Sequence, residues 1–82
     1  MKTYNNTNLS EKEVDSLECL GTTVNEWRGR NIRLLQHPNK PDYVISDGIT
    51  FDNTMRVIAE EPKSAWTTSL EYAEAGKVYV SR

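Results

Sequence analysis

One cysteine and one histidine are all that this chain of 82 residues offers to thiol and imidazole chemistry. A lone Cys19 excludes an internal disulfide and supplies too few thiolates for a cysteine-based zinc site, so a reducing compartment is expected. The four glycines, Gly21, Gly29, Gly48 and Gly76, stand far apart and leave no Gly-rich cradle for a phosphate. Long apolar runs are missing too. Nothing approaches the length that crosses a bilayer, and residues 1–10 are polar where an export signal needs an apolar core. A cytoplasmic setting without membrane contact is expected. Charge of one sign is also lacking: ten Lys or Arg against twelve Asp or Glu leave a formal net charge of −2. That balance excludes both the positive field of a general nucleic-acid binder and the acidic excess of a DNA mimic.

What is present suits one soluble globular domain, with 37% apolar and 27% charged residues and no repeat, heptad run or low-complexity tract. At this length folding buries only about 60–65% of the unfolded chain's surface, so the stability margin is small. Residues 1–8 carry little apolar content and read as a flexible arm, leaving residues 9–82 as the single domain. Ser10 and Glu13 form a capping box, with Leu9 and Val14 placed to staple it. Val14, Leu17 and Leu20 then predict a helix over Glu11 to Leu20, closed by Gly21. Thr22 to Trp27 fits strand or helix. Asn31 to Gln36 predicts a strand with Ile32 and Leu34 opposite Arg33 and Leu35, and the prolines make His37 to Asp42 a loop.

Tyr43 to Glu60 is the stretch around which the rest is organised. Asp47-Gly48 favours the positive φ angles of a tight hairpin. A turn there puts Val44, Ile49 and Phe51 on one side of the ribbon and Tyr43, Ile45 and Thr50 on the other. Met55 to Glu60 follows as a third strand of the meander, with Val57 inward, and Pro62 stops it. A second helix begins near Ser64, or at Thr68 with Glu71 completing a capping box. Leu70, Ala73 and Trp66 share one of its faces, and Gly76 ends it. Lys77 to Ser81 alternates like a last strand. The expected fold is α+β: a small antiparallel sheet of three to five strands, with a central β-meander, packed by two short helices on one side.

The most functional-looking stretch is Trp27-Arg28-Gly29-Arg30-Asn31-Ile32-Arg33. Arginine forks bind carboxylate or phosphate, and an adjacent indole anchors an interface or stacks on a base. In an extended segment Arg28 and Arg30 face away from Arg33, which splits the patch. Cys19 is placed as a packing thiol beside an apolar stripe, far from any helix N-terminus that would make it a nucleophile. His37 reads as an exposed loop residue. Asp42, Asp47 and Asp52 recur every five residues, a spacing that turn chemistry and loop solvation explain without a metal. No catalytic residue, metal or cofactor is expected. Trp66 reads as a core anchor and Trp27 as exposed.

The expected function is a small non-enzymatic binding or regulatory protein that docks onto another macromolecule through Trp27, Arg28, Arg30, Arg33 and Tyr43. Viral and mobile-element accessory inhibitors work in this way, and a protein partner is expected. The alternatives are a nucleic-acid-binding protein using the same basic patch and a small nuclease or hydrolase using His37. The last strand, Lys77 to Ser81, offers an edge through which a homodimer forms.

Overall fold

The computed structural model describes all 82 residues and is an α+β fold built on a six-stranded mixed sheet. In chain order the elements are β1 (Lys2–Asn6), α1 (Glu11–Asp15), β2 (Cys19–Asn25), β3 (Arg30–Gln36) and β4 (Tyr43–Thr50). Then come β5 (Met55–Pro62), a 3-10 turn (Lys63–Trp66), α2 (Thr67–Glu74) and β6 (Tyr79–Ser81). The strands lie in the order β1-β5-β4-β3-β2-β6. The run β2 to β5 is an antiparallel meander, while β1 joins β5 and β6 joins β2 in parallel. The sheet is therefore wider than expected, and it is mixed rather than antiparallel.

Asp47-Gly48 does not reverse the chain. Both residues lie inside β4, opposite Arg33 and Ile32 of β3, and Asp47 is fully buried. The local preference for a turn gives way because Asp47 has two long-range cations to satisfy. Arg56 donates from Nε to Asp47 Oδ1 at 2.8 Å and from Nη2 to Oδ2 at 2.9 Å. Arg33 donates from Nε to Oδ2 at 3.1 Å, and its Nη2 donates to the same oxygen. Gly48 is used for its missing side chain, since a Cβ there would sit 3.1 Å from Ile32 Cγ1.

The reversal falls at Thr50 to Met55, where Asn53 adopts φ 58° and Thr50 Oγ1 accepts from Met55 N at 3.1 Å. Phe51, expected inside, is consequently half exposed on that turn. With no hairpin at residues 47–48 the faces of β4 also change: Ile45, Asp47 and Ile49 point one way, and Val44, Ser46 and Gly48 the other. Both faces are covered, so Leu34-Leu35 and Val44-Ile45 are consecutive buried apolar pairs.

The helices take opposite faces rather than sharing one. On the first face α1 places Val14 on Leu35, Ile45 and Ile58. On the second, Trp66 and Leu70 pack with Leu20 on Ile32, Leu34 and Val44. The first helix keeps its capping box, with Glu13 N donating to Ser10 Oγ at 3.1 Å, but it stops at Asp15. Cys19 to Asn25 pairs as strand with β3, so Cys19 is exposed and Gly21, expected to cap a helix, lies beside a β-bulge. The open stretch Thr22 to Trp27 divides into the end of β2 and the turn that follows. Residues 2–6, expected within an arm, form edge strand β1 instead. Gly76 ends α2 with φ 74°, but that helix has no side-chain cap at its start.

The charged cluster under α1 ties the first face together. Arg56 Nη2 and Arg33 Nη2 both reach Asp15 Oδ1, at 2.9 and 3.2 Å, and Arg56 Nη1 reaches Glu11 Oε1 at 3.3 Å. Burial by itself pushes the Asp47 carboxyl up, but the hydrogen bonds and charges of Arg56 and Arg33 outweigh it and hold the carboxyl below its ordinary 3.8. The Arg56 hydrogen bond likewise lowers Asp15. A carboxyl depressed in the folded state stabilises the fold above its unfolded value, and that contribution is lost as pH falls through the folded value. Urea midpoints are therefore expected to stay level down to about 4 and to drop on further acidification. Asp47→Asn should flatten that drop; an unchanged acid profile in the variant would contradict the assignment.

Candidate functional site

The two helices leave part of each sheet face open. On the second face, beyond α2 and the 3-10 turn, lies a groove of about 440 Å³. Its floor is Ile32, Gly48 and Val57; Asn25, Arg28 and Arg30 form one end, and Ser46, Glu61 and Trp66 the other. Strand register accounts for the floor, because Ile32, Gly48 and Val57 are directly paired across β3, β4 and β5. Arg30 lies one side-chain pair further along and lays its stem across the glycine, with its Cδ 3.6 Å from where a Gly48 Cβ would stand. A Cβ at residue 48 would touch that stem at ordinary contact distance, and it is Ile32 Cγ1, at 3.1 Å, that would have to give.

The two ends differ in charge and in how their charge is held. Of the five arginines, Arg33, Arg56 and Arg82 are ion-paired with Asp47, Asp15, Glu11 or Glu26. Arg28 and Arg30 have no carboxylate partner, and Arg30 Nε is buried without any hydrogen bond. Such a donor has given up water without replacing it, which makes it receptive to an incoming acceptor. At the opposite end Glu61 is fixed by neutral donors. Ser46 Oγ donates to Oε1 at 2.9 Å and Trp66 Nε1 to Oε2 at 2.6 Å. Glu61 has no cation of its own.

Trp27 stands on the turn between β2 and β3, beside the arginine end. It is 78% exposed, and the Arg28 guanidinium lies 5.5 Å from its ring centre. The turn is firm: Asn25 Oδ1 accepts from Arg28 N at 3.0 Å, and Glu26 N donates to Ser81 O at 2.8 Å. Gly29, at φ 65°, lets the chain turn into β3 while its carbonyl accepts from Phe51 N at 2.8 Å. Two exposed aromatics, Trp27 and Phe51, thus flank the same end of the sheet.

The structure brings together Trp27, Arg28 and Arg30 and separates the other two expected residues from them. Arg33 is on the first face, committed to Asp47 and Asp15. Tyr43 is also on that face, at the far end of β4, where the Lys40 ammonium lies 5.1 Å from its ring centre. Ser46, Glu61, Trp66 and Phe51 were not foreseen as site residues. The parity of Arg30 with Ile32 was the one local signal of the face, and nothing local links residue 46 to residues 61 and 66.

His37 is not a free loop residue, since its side chain is 10% exposed. Nδ1 accepts from Asn39 N and Lys40 N, both at 3.0 Å, and Nε2 faces Glu60 Oε1 at 2.8 Å. Both ring nitrogens are engaged in holding the loop, which leaves no lone pair open for a general base. A hollow of about 450 Å³ on the first face is lined by Val24, Ile49 and Val78, and its only charges, Arg33 and Asp47, satisfy each other. Asp42, Asp47 and Asp52 are dispersed along loop, strand and turn, and no three potential metal ligands cluster. No helix is long and apolar enough to cross a membrane. Comparison with family models, with curated proteins and with solved structures found no match.

Proposed function

We propose that this chain is a small non-enzymatic binding protein that docks onto another protein with the end of the sheet formed by Trp27, Arg28 and Arg30. The observation that carries this reading is the unequal use of arginine. Three guanidiniums are spent on internal ion pairs, while the two beside the exposed indole are left without a counter-charge. Exposed Trp and Arg supply most of the binding energy in protein interfaces, and an unpaired arginine needs no internal bond broken before it engages a partner.

Trp27→Ala is expected to weaken capture of the partner from native-host extract by about thirtyfold, the loss of one interface anchor. Its melting temperature should stay near that of the wild type, because an exposed side chain adds little to stability. Arg28→Ala combined with Arg30→Ala should weaken capture likewise. Undiminished capture by both variants would remove the reading.

A further inference from the structure

The sheet has two free edges, β1 and β6, and they are finished differently. β1 is polar along its length. Thr3 Oγ1 donates to Glu11 Oε1 at 3.3 Å, Asn5 Nδ2 donates to Leu9 O at 2.8 Å, and Lys2 adds a charge, all of which discourage a further strand. β6, Tyr79-Val80-Ser81, carries no charge and no proline. Of the eight large hydrophobic side chains left exposed on the protein, Tyr72, Val78 and Val80 gather at this edge. Val78 lines the hollow of about 450 Å³ on the first face together with Val24, and Val80 is paired with Val24 on that same face. Tyr72 lies on the second face, edge-on to Tyr79 with ring centres 5.1 Å apart. The edge is thus apolar on both sides.

Its backbone is open as well. Glu26 N donates to Ser81 O at 2.8 Å, and Thr23 Oγ1 donates to Tyr79 O at 2.8 Å. Successive residues of a strand turn their backbone groups to alternate sides, so Tyr79 and Ser81 bond to β2 while the N–H and C=O of Val80 point outward.

We infer that β6 pairs antiparallel with β6 of a second copy, about a two-fold axis at Val80, joining two six-stranded sheets into one. The edge complements itself. With Val80 opposite Val80 of the copy, each N–H donates to the other's C=O, and Val78 and Arg82 come opposite each other on either side. The side chains agree with that register. Valine meets valine on the axis. Arg82 lays its stem beside Val78 of the copy and keeps Glu26, 3.3 Å away in its own chain, as counter-charge. On the second face Tyr79 is opposite Ser81. No like charges are brought together, which is the contact that would disfavour self-pairing. Arg82 is the one ionic side chain in residues 78–82 and is already paired, so the edge fits an uncharged apolar neighbour, and its own sequence is one. The inference is independent of the docking reading, because none of Trp27, Arg28 and Arg30 lies in the register.

The test is sedimentation velocity of the full chain over a range of concentrations. The wild type should pass from monomer to dimer as concentration rises. Val80→Lys places two ammonium groups on the axis and should weaken dimerisation more than about tenfold. Trp27→Ala, and Tyr4→Lys on the other edge, should dimerise like the wild type. Amide exchange reads the same contact at one residue. The Val80 N–H should exchange about tenfold more slowly when about nine-tenths of the chains are paired, since only the free tenth is open to solvent. In a Cys19→Ser background Val80→Cys should oxidise to a linked dimer, because hydrogen-bonded antiparallel partners have Cα atoms about 5.5 Å apart, within disulfide reach. Ser81→Cys should stay unlinked: the two copies of residue 81 are offset by two positions along the strands, which puts their Cα atoms beyond about 7 Å.

A wild type that sediments as monomer at every concentration overturns the inference, and capture still sensitive to Trp27→Ala would then leave the docking reading standing. A dimer that Val80→Lys leaves intact overturns it too, as does linkage of Ser81→Cys as ready as that of Val80→Cys. Circular dichroism checks that Val80→Lys is folded, and the cysteine pair reads the register without it.

Discussion

Arg56→Met is expected to cost the fold about 3–5 kcal/mol, the penalty for removing one partner of a buried ion pair. A domain of this size has roughly 4–12 kcal/mol in all, so the variant should be largely unfolded at moderate urea. The reason is the asymmetry of the cluster. Asp47 is fully buried, and the Arg56 side chain that covers it is only 11% exposed. Without Arg56 the carboxylate keeps Arg33 on Oδ2 but loses the donor to Oδ1, and α1 loses the bonds from Arg56 to Asp15 and Glu11. Arg56→Lys should rescue little, because one ammonium cannot span Asp47, Asp15 and Glu11 as the planar fork does. Asp47→Asn should be the milder change, since Arg33 is 40% exposed and both arginines retain Asp15. Urea unfolding monitored by circular dichroism decides it, and an Arg56→Met midpoint equal to that of the wild type would show that the cluster does not pin the sheet.

Gly21→Ala is expected to destabilise by about 2 kcal/mol, an overpacking cost at the contact between β2 and α2. A Cβ at residue 21 would overlap the Ala73 Cβ, closer than real carbons approach, and both atoms are attached to backbone with no flexible side chain to yield. Removing the opposing methyl group should reverse the effect. Ala73→Gly alone costs about 1 kcal/mol in helix propensity. The double variant should be more stable than Gly21→Ala, giving a coupling energy of about 2 kcal/mol in place of additivity. Additive losses would mean that α2 does not sit on Gly21. The contact matters to the groove because α2 continues directly from the 3-10 turn that carries Trp66.

These two sites show where local reading stopped. Asp47-Gly48 is a strong turn pair when only neighbours are considered, and the residues that override it are 14 and 9 positions away in sequence. Gly21 after an apolar stripe resembles a helix cap, but its reason for being glycine is a methyl group far along the chain, at Ala73. Strand β1 carries little apolar content and becomes a strand by pairing with β5. The consecutive apolar pairs Leu34-Leu35 and Val44-Ile45 did carry a readable sign of two-sided burial, which an expectation of one covered face passed over.

The sequence by itself determined the α+β class, the capping box at Ser10, strands over residues 31–36 and 55–60, the left-handed end of α2 at Gly76, and the exposure of Trp27. Each depends on residues within a few positions of one another, where side-chain period, caps and glycine conformations act. Tertiary structure alone decided that Asp47 is buried, that the helices lie on opposite faces, that Arg33 leaves the patch while Arg28 and Arg30 stay, and that Ser46, Glu61 and Trp66 complete a groove. Those outcomes follow from pairing and charge neutralisation between distant segments. Satisfying a buried carboxylate outweighs the preference of two residues for a turn.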